Sequence, residues 1–276
     1  NLGYGISKEH RGKGYGNILF KELLKKCKEH GYKEIKLFPL KTNEATIKIM
    51  IKNILFDLDN TLFDFYASEK KALTKTLLRL GITPDEKMLA RYSEINLAHW
   101  KLLEEGKLTR DEVKVNRYRQ FFEEYEINAS PKETTKFYEK ALSEEGDLTD
   151  GAFSLLQNLF GKYRLYVVSN GTLIAQQGRM KNTGITNFFE DFFISQQIGF
   201  EKPTKEFFDY CFKRIPDFKK EETIIVGDSI SADILGGINA GIKTVWFNPN
   251  NEKSCINPDY QISALTELEK ILKNKI

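Results

Sequence analysis

Residues 51–61 read IKNILFDLDNT, a short apolar run that breaks off into two aspartates and a turn. Ile54 to Phe56 have the β-branched and aromatic character of a buried strand. Three later runs take the same form: YRLYVVSNGT (163–172), TIIVGDS (223–229) and KTVWFNP (243–249). Helical patterns lie between them. Strands alternating with helices argue for an α/β fold whose parallel sheet is covered on both faces. Ligands of such sheets gather beyond the carboxyl ends of the strands. Three of these ends carry polar residues: Asp57 and Asp59, Ser169 and Asn170, and Asp228.

Asp57 and Asp59 stand two apart on an extended segment, so their side chains leave on the same side. Carboxylates that close repel, and both ionise only where a cation or hydrogen bonds compensate. Asp228 adds a third. Such an oxygen-rich cluster suits Mg²⁺, which takes a few carboxylates together with waters and a substrate phosphate. Lys202, in FEKPT (200–204), offers a positive charge, while Ser169, Asn170 and nearby backbone N–H groups offer donors to a phosphoryl oxygen. One aspartate attacks phosphorus; the other protonates the leaving alcohol and then activates water. A lone DxD at a strand end is commonly a turn or a cap. Four such motifs in this order are not accounted for that way.

Over residues 50–276 the motifs resemble those of the haloacid dehalogenase superfamily. The first matches Asp57-Leu-Asp59-Asn-Thr61, the second Ser169, the third Lys202 and the fourth Gly227-Asp228-Ser-Ile-Ser-Ala-Asp233. The resemblance implies a Rossmann-like core with Asp57 as nucleophile and Asp59 as general acid and base. It also implies Mg²⁺ held by Asp57, the Asp59 carbonyl and Asp228, with Asp233 in support. Ser169 and Lys202 would then hold the phosphoryl group, with Thr61 and Asn170 beside the substrate.

Residues 66–147 carry no convincing strand but four helical patterns. Thr83-Pro84-Asp85-Glu86 reads as a start with Pro at the first helical position. Thr109 with Glu112 reads as a capping box, and Ser130-Pro131 followed by Glu133 repeats the idea. A helical insertion of this size resembles the cap of superfamily subfamily IA, leaving residues 50–65 and 148–276 as the core. Within the cap, Asn96, Trp100, Lys107 and Arg117 are candidates to face a substrate. Trp100 would stack on a base and the two cations would meet charge. The bland alternative is ordinary helix packing for Trp100 and exposure for Lys107 and Arg117.

A dehalogenase releases halide and has no need of Asp59 to supply a proton, so its presence argues for phosphate ester hydrolysis. FDLDNTLFDF with Glu69, VVSNGT with Gln177 and Arg179, and IGFEKP together resemble the pyrimidine 5′-nucleotidase branch. Phosphoglycolate and sugar-phosphate hydrolysis are the alternatives.

Residues 1–49 differ in charge. They carry eleven Lys and Arg against five Glu, a net +6, whereas the remainder nets −3. NLGYGIS reads as a strand, followed by a glycine loop, an amphipathic helix, the strand YKEIKLFPL, and a helix capped by Asn43. Glycines before a helix let backbone N–H groups converge on an anion. Arg11-x-x-Gly14-x-Gly16 resembles the coenzyme A loop of the GNAT acetyltransferases, which implies a cofactor site at those residues. The flanking strands of that family are missing, and no Tyr follows Asn43. The segment is therefore expected to be an incomplete βαβα fragment without activity, and Met50 resembles the start of a complete phosphatase. An accidental fusion is the leading expectation, and a bifunctional chain that binds coenzyme A is the alternative.

The apolar share of 41% and charged share of 29% suit a globular chain. No apolar run is long enough to cross a bilayer, and no signal peptide opens the chain. Cys27, Cys211 and Cys255 are scattered, as expected of free thiols in the cytoplasm. His10, His30 and His99 form no zinc pattern. The expected partner is a small phosphate ester, with neither a nucleic acid polymer nor a membrane, in a monomer or dimer.

Overall fold

Six strands, β1 (Asn53–Phe56), β2 (Arg164–Ser169), β3 (Asp191–Ile194), β4 (Thr223–Gly227), β5 (Lys243–Phe247) and β6 (Tyr260–Ile262), form a parallel sheet in the order β3-β2-β1-β4-β5-β6. This computed structural model describes residues 50–273, together with Lys25, Lys26 and Glu29, which are helical and exposed. The chain divides into two compact units, residues 1–47 and 48–276. The expected βαβα fragment, with Arg11, Gly14, Gly16 and Asn43, lies outside the described residues apart from those three.

β1 sits where the strand order reverses. Leu55 pairs with Tyr166 on one side and Ile225 on the other. Successive side chains leave a strand on opposite faces, and both faces here are covered. Ile54 and Phe56 pack with Leu155, Leu156 and Leu159 of helix α5 (Ala152–Leu159) and with Leu265 and Leu268. Leu55 shares the other layer with Val168, Ile225, Phe207, Phe208 and Cys211. Burial on both faces explains why β1, β2 and β4 read as continuous apolar runs. β3 and β6, not anticipated from the sequence, are edge strands of four and three residues.

The insertion after β1 is helical throughout: α1 (Phe65–Arg79), α2 (Glu86–Glu104), α3 (Arg110–Glu124) and α4 (Pro131–Ser143). They enclose a core of their own, including Leu73, Leu77, Tyr92, Ile95, Tyr118, Phe121 and Tyr138. The two chain crossings into this cap lie side by side. Asp64 N donates to Asp147 O at 3.0 Å, and Thr149 N donates to Leu62 O at 3.0 Å. Among the described residues no helix is long and apolar enough to cross a membrane.

The Thr109–Glu112 capping box and the Ser130 cap with Pro131 in the first turn are present as expected. The start of α2 is shifted. Asp85, not Thr83, is its cap, accepting from Met88 N at 2.7 Å, so Pro84 lies before the helix. Replacing Asp85 with Ala should therefore cost about 1 kcal/mol. Thermal melting checks this: Asp85→Asn should recover most of the loss, and Thr83→Ala should show none of it.

Candidate active site

The chain leaves β1 at Asp57, β2 at Ser169 and β4 at Gly227, and the site is built beyond these three carboxyl ends. Lys202 reaches between them from the loop after α7 (Ser195–Ile198). Its Nζ donates to Asp57 Oδ1 at 2.6 Å, Asp233 Oδ1 at 2.6 Å and Val168 O at 2.8 Å. An ammonium has three donors, and all are taken. What Lys202 offers a ligand is therefore its charge and its grip on Asp57, not a spare hydrogen bond.

Asp233 is fully buried, and its second oxygen accepts from Ser229 N at 3.1 Å. Gly227 makes this possible: a Cβ there would fall 2.2 Å from Asp233 Oδ2. Asp228 is oriented by the Thr61 hydroxyl, which donates to Oδ1 at 3.2 Å, while Trp246 Nε1 donates to its backbone carbonyl at 2.9 Å. Thr61 is therefore bound to a carboxylate, and its hydroxyl is not free for a substrate as the sequence suggested.

Oxygens of Asp57, Asp228 and Asp233 converge within 4.8 Å of one another. Burial, with the carboxylates of Asp233 and Asp59 adding to it, pushes Asp57 up to about 8 against the pull of Lys202. Burial and the charges of Asp57 and Asp233 likewise hold Asp228 well above the usual carboxylate range. The cluster is thus under-compensated by its own residues. Hard oxygen donors with surplus negative charge fit a divalent cation such as Mg²⁺. Asp57 and Asp228 each accept on Oδ1 only, from Lys202 and Thr61, whereas each oxygen of Asp233 accepts one hydrogen bond.

Ser169 Oγ accepts from Gly171 N at 3.1 Å and Gln176 Nε2 at 2.9 Å. Its two acceptor positions are filled, which leaves its O–H to donate. Asn170 has a structural task that the sequence did not suggest. Its Nδ2 donates to Lys202 O at 2.9 Å and its Oδ1 accepts from Lys202 N at 2.8 Å. That clamp locks the Lys202 loop onto the Ser169 loop and uses one of the two Nδ2 hydrogens.

Asp59 faces helix α6 (Leu173–Thr183). Gln176 Nε2 donates to Asp59 Oδ2 at 2.6 Å, and Arg179 Nη1 is ion-paired with Oδ1. Gln177, the neighbour singled out in the sequence, points to solvent. The i, i+3 spacing of Gln176 and Arg179 beside the buried Ala175 and Met180 was the available signal. Two cap residues also escaped notice. Arg110 ion-pairs with Glu201 at 3.1 Å, approaches Asn170 O at 3.4 Å and bonds Ser195 Oγ. Glu104 accepts from the Ser231 hydroxyl. The turn between α2 and α3 is thereby fastened to the core on both sides.

The remaining cap candidates separate. Lys107 is exposed and paired with Glu105 at 2.6 Å. Trp100 is half-buried, one turn before Glu104 on α2. Arg117 is not exposed. It is buried in the cap, with its guanidinium 4.9 Å from the Tyr138 ring centroid and 5.3 Å from that of Tyr118. Its Nη1 donates to Asn96 Oδ1 at 2.7 Å, and Asn96 Nδ2 donates to Glu69 Oε1 at 2.6 Å. A buried cation needs partners, and the tyrosine faces and this chain supply them.

The chain is similar to known proteins in sequence and in fold. The haloacid dehalogenase-like hydrolase family model matches residues 54–247, and that of the acetyltransferase (GNAT) family matches residues 2–50. The HAD-hydrolase YfnB of Bacillus subtilis is 42% identical over 80% of this chain and 95% of its own length. Its crystal structure, described as bound to magnesium, superposes with a TM-score of 0.78 and covers 81% of this chain and 99% of that one. The pyrimidine 5′-nucleotidase PynA of Streptococcus pneumoniae is 35% identical, over 82% of this chain and 96% of its own. The pyrimidine 5′-nucleotidase YjjG of Escherichia coli is 31% identical, over 79% and 96%.

Proposed function

Since the chain belongs to the haloacid dehalogenase-like hydrolase family and is a phosphoric monoester hydrolase, we propose that it hydrolyses a pyrimidine nucleoside 5′-monophosphate with Mg²⁺ and an aspartyl-phosphate intermediate. The observation that carries the chemistry is the grouping of buried Asp57, bridged to Lys202, with Asp228 alongside and Asp59 two residues on. The likeness to two named pyrimidine 5′-nucleotidases supports the substrate class.

In this reading Asp57 Oδ attacks phosphorus and the bond from phosphorus to the ester oxygen breaks. The ester oxygen takes the electron pair and a proton from Asp59. Water then attacks the phospho-Asp57, Asp59 takes a proton from it, and the departing oxygen restores the Asp57 carboxylate. Lys202 keeps Asp57 in line, and the Ser169 O–H donates to a phosphoryl oxygen. Asp57, the Asp59 carbonyl and Asp228 would hold Mg²⁺, with Asp233 in support; the chemistry it supplies is charge compensation for carboxylates and phosphate together. The half-buried Trp100 is the cap side chain suited to stack on the base. We assign residues 50–276 to this activity and no step to residues 1–49.

Phosphate release from UMP, dUMP, dTMP, phosphoglycolate and sugar phosphates, with Mg²⁺ and after chelation, tests the reading. Turnover is expected to need the metal and to be fastest on the pyrimidine nucleotides. Metal-dependent turnover of the non-nucleotide esters alone would keep the chemistry and overturn the substrate class.

A further inference from the structure

Arg179 is fully buried, yet only part of its guanidinium is used. Nη1 serves Asp59 and, at 3.3 Å, Gln176 Oε1, while Nε and Nη2 have no hydrogen-bond partner among the described residues. The rest of the group lies on aromatic faces, 4.2 Å from the Phe63 ring centroid and 5.7 Å from that of Phe65. A buried cation with unsatisfied donors is a poor way to stabilise a helix interface, because an apolar side chain of similar size would carry no such penalty. Its carboxylate partner is Asp59. The neighbouring arm is equally specific. Gln176 Nε2 spans Asp59 Oδ2 and Ser169 Oγ, and it can do so because residue 171 lacks a side chain. A Cβ on Gly171 would fall 2.1 Å from that nitrogen.

We propose that Arg179 and Gln176 are positioning residues for Asp59, and that they make the enzyme competent for esters whose leaving oxygen is strongly basic. This rests on the reading of Asp59 as the acid and base. Each carboxylate oxygen has two lone pairs, and α6 occupies one on each. The carboxyl is thereby held in place while the others stay open to the proton. That proton passes from Asp59 to the ester oxygen as the phosphorus–oxygen bond breaks, so an alkoxide never has to depart. Phe63 and Phe65 stand where the chain crosses into the cap, so the ring faces under Arg179 tie Asp59 to that crossing.

A poor leaving group exposes the difference. p-Nitrophenolate departs as a stable anion and gains little from an acid, whereas a ribose 5′-oxygen requires one. Values of kcat/KM stop at formation of the phospho-aspartate, so they isolate this step from its hydrolysis. They would be measured on p-nitrophenyl phosphate and on the best alkyl phosphate of the panel for wild type, Arg179→Lys, Gly171→Ala and Asp59→Asn. Arg179→Lys keeps the charge and loses the fork. Gly171→Ala pushes on the Gln176 side chain, whose Nε2, Cδ and Cγ are the nearest atoms, and so stands in if a buried lysine at 179 unfolds the chain.

Both variants should lose roughly tenfold or more on the alkyl ester beyond any loss on p-nitrophenyl phosphate, with Asp59→Asn showing a wider gap of the same sense. Equal losses on the two substrates in Arg179→Lys and Gly171→Ala, with the gap intact in Asp59→Asn, would overturn the positioning role alone. No gap in Asp59→Asn would overturn it together with the acid–base reading beneath it.

Discussion

Asp57→Asn should abolish phosphate release, with a fall of at least ~10⁴-fold, and should leave the fold as stable as before or more so. The two halves of this result come from the same geometry. The amide keeps the shape of the carboxylate and can still accept from Lys202 Nζ, but it is no nucleophile. Wild-type Asp57 is an expensive residue to bury, as burial and the nearby Asp233 and Asp59 push it up to about 8. Substituting a neutral group removes that cost, the usual trade between a strained site and stability. Phosphate release and thermal melting, measured on one preparation, check both halves. Turnover within tenfold of wild type would remove Asp57 as the nucleophile.

Lys202→Met is expected to be inactive for a different reason, because it damages the fold. It removes the ammonium that joins Asp57 and Asp233 and leaves two buried carboxylates without their cation. Breaking a buried pair from one side costs about 3–5 kcal/mol. The pH dependence has a definite sign. In the variant Asp57, already raised by burial, loses the opposing pull of Lys202, so the folded state holds its proton more tightly than the unfolded one and loses stability as pH rises through the raised pKa. The melting deficit against wild type should therefore be wider at roughly pH 8 than at roughly pH 5. A deficit independent of pH would show that lost packing, not lost charge, is responsible.

The sequence made the central sheet and its aspartates legible because both depend on local pattern. β1, β2 and β4 are buried on two faces and must be apolar throughout, and Asp57, Ser169 and Asp228 follow directly from their ends. Edge strands carry no such demand, so β3 and β6 drew no strand assignment. Helix phase was the harder problem on α6. With adjacent glutamines at 176 and 177, the one that turns inward depends on how the helix docks, and Gln177 was the wrong one. Arg117 shows another limit. A cation on an amphipathic helix reads as exposed unless Tyr92, Tyr118, Tyr138 and Asn96, spread over three helices, are known to converge on it. Thr61 and Asn170 were placed at the site correctly as positions, but their hydrogen bonds run to Asp228 and Lys202, and only three-dimensional neighbours reveal that.

The paired crossings at residues 62–64 and 147–149 bear on how the chain folds. β1 must find β2 across the whole cap, and closing so long a loop from a random chain carries a large entropic penalty. The four cap helices enclose their own core, α1 packing on α4 as well as α2 on α3, so the cap can close as a unit before the sheet does. Once it has, Asp64 and Asp147 are already neighbours, and the search left to β1 is across a few residues instead of the entire insertion. On this view the cap serves the sheet during synthesis much as a clasp serves a necklace: it brings two distant ends together so that the rest can hang in order.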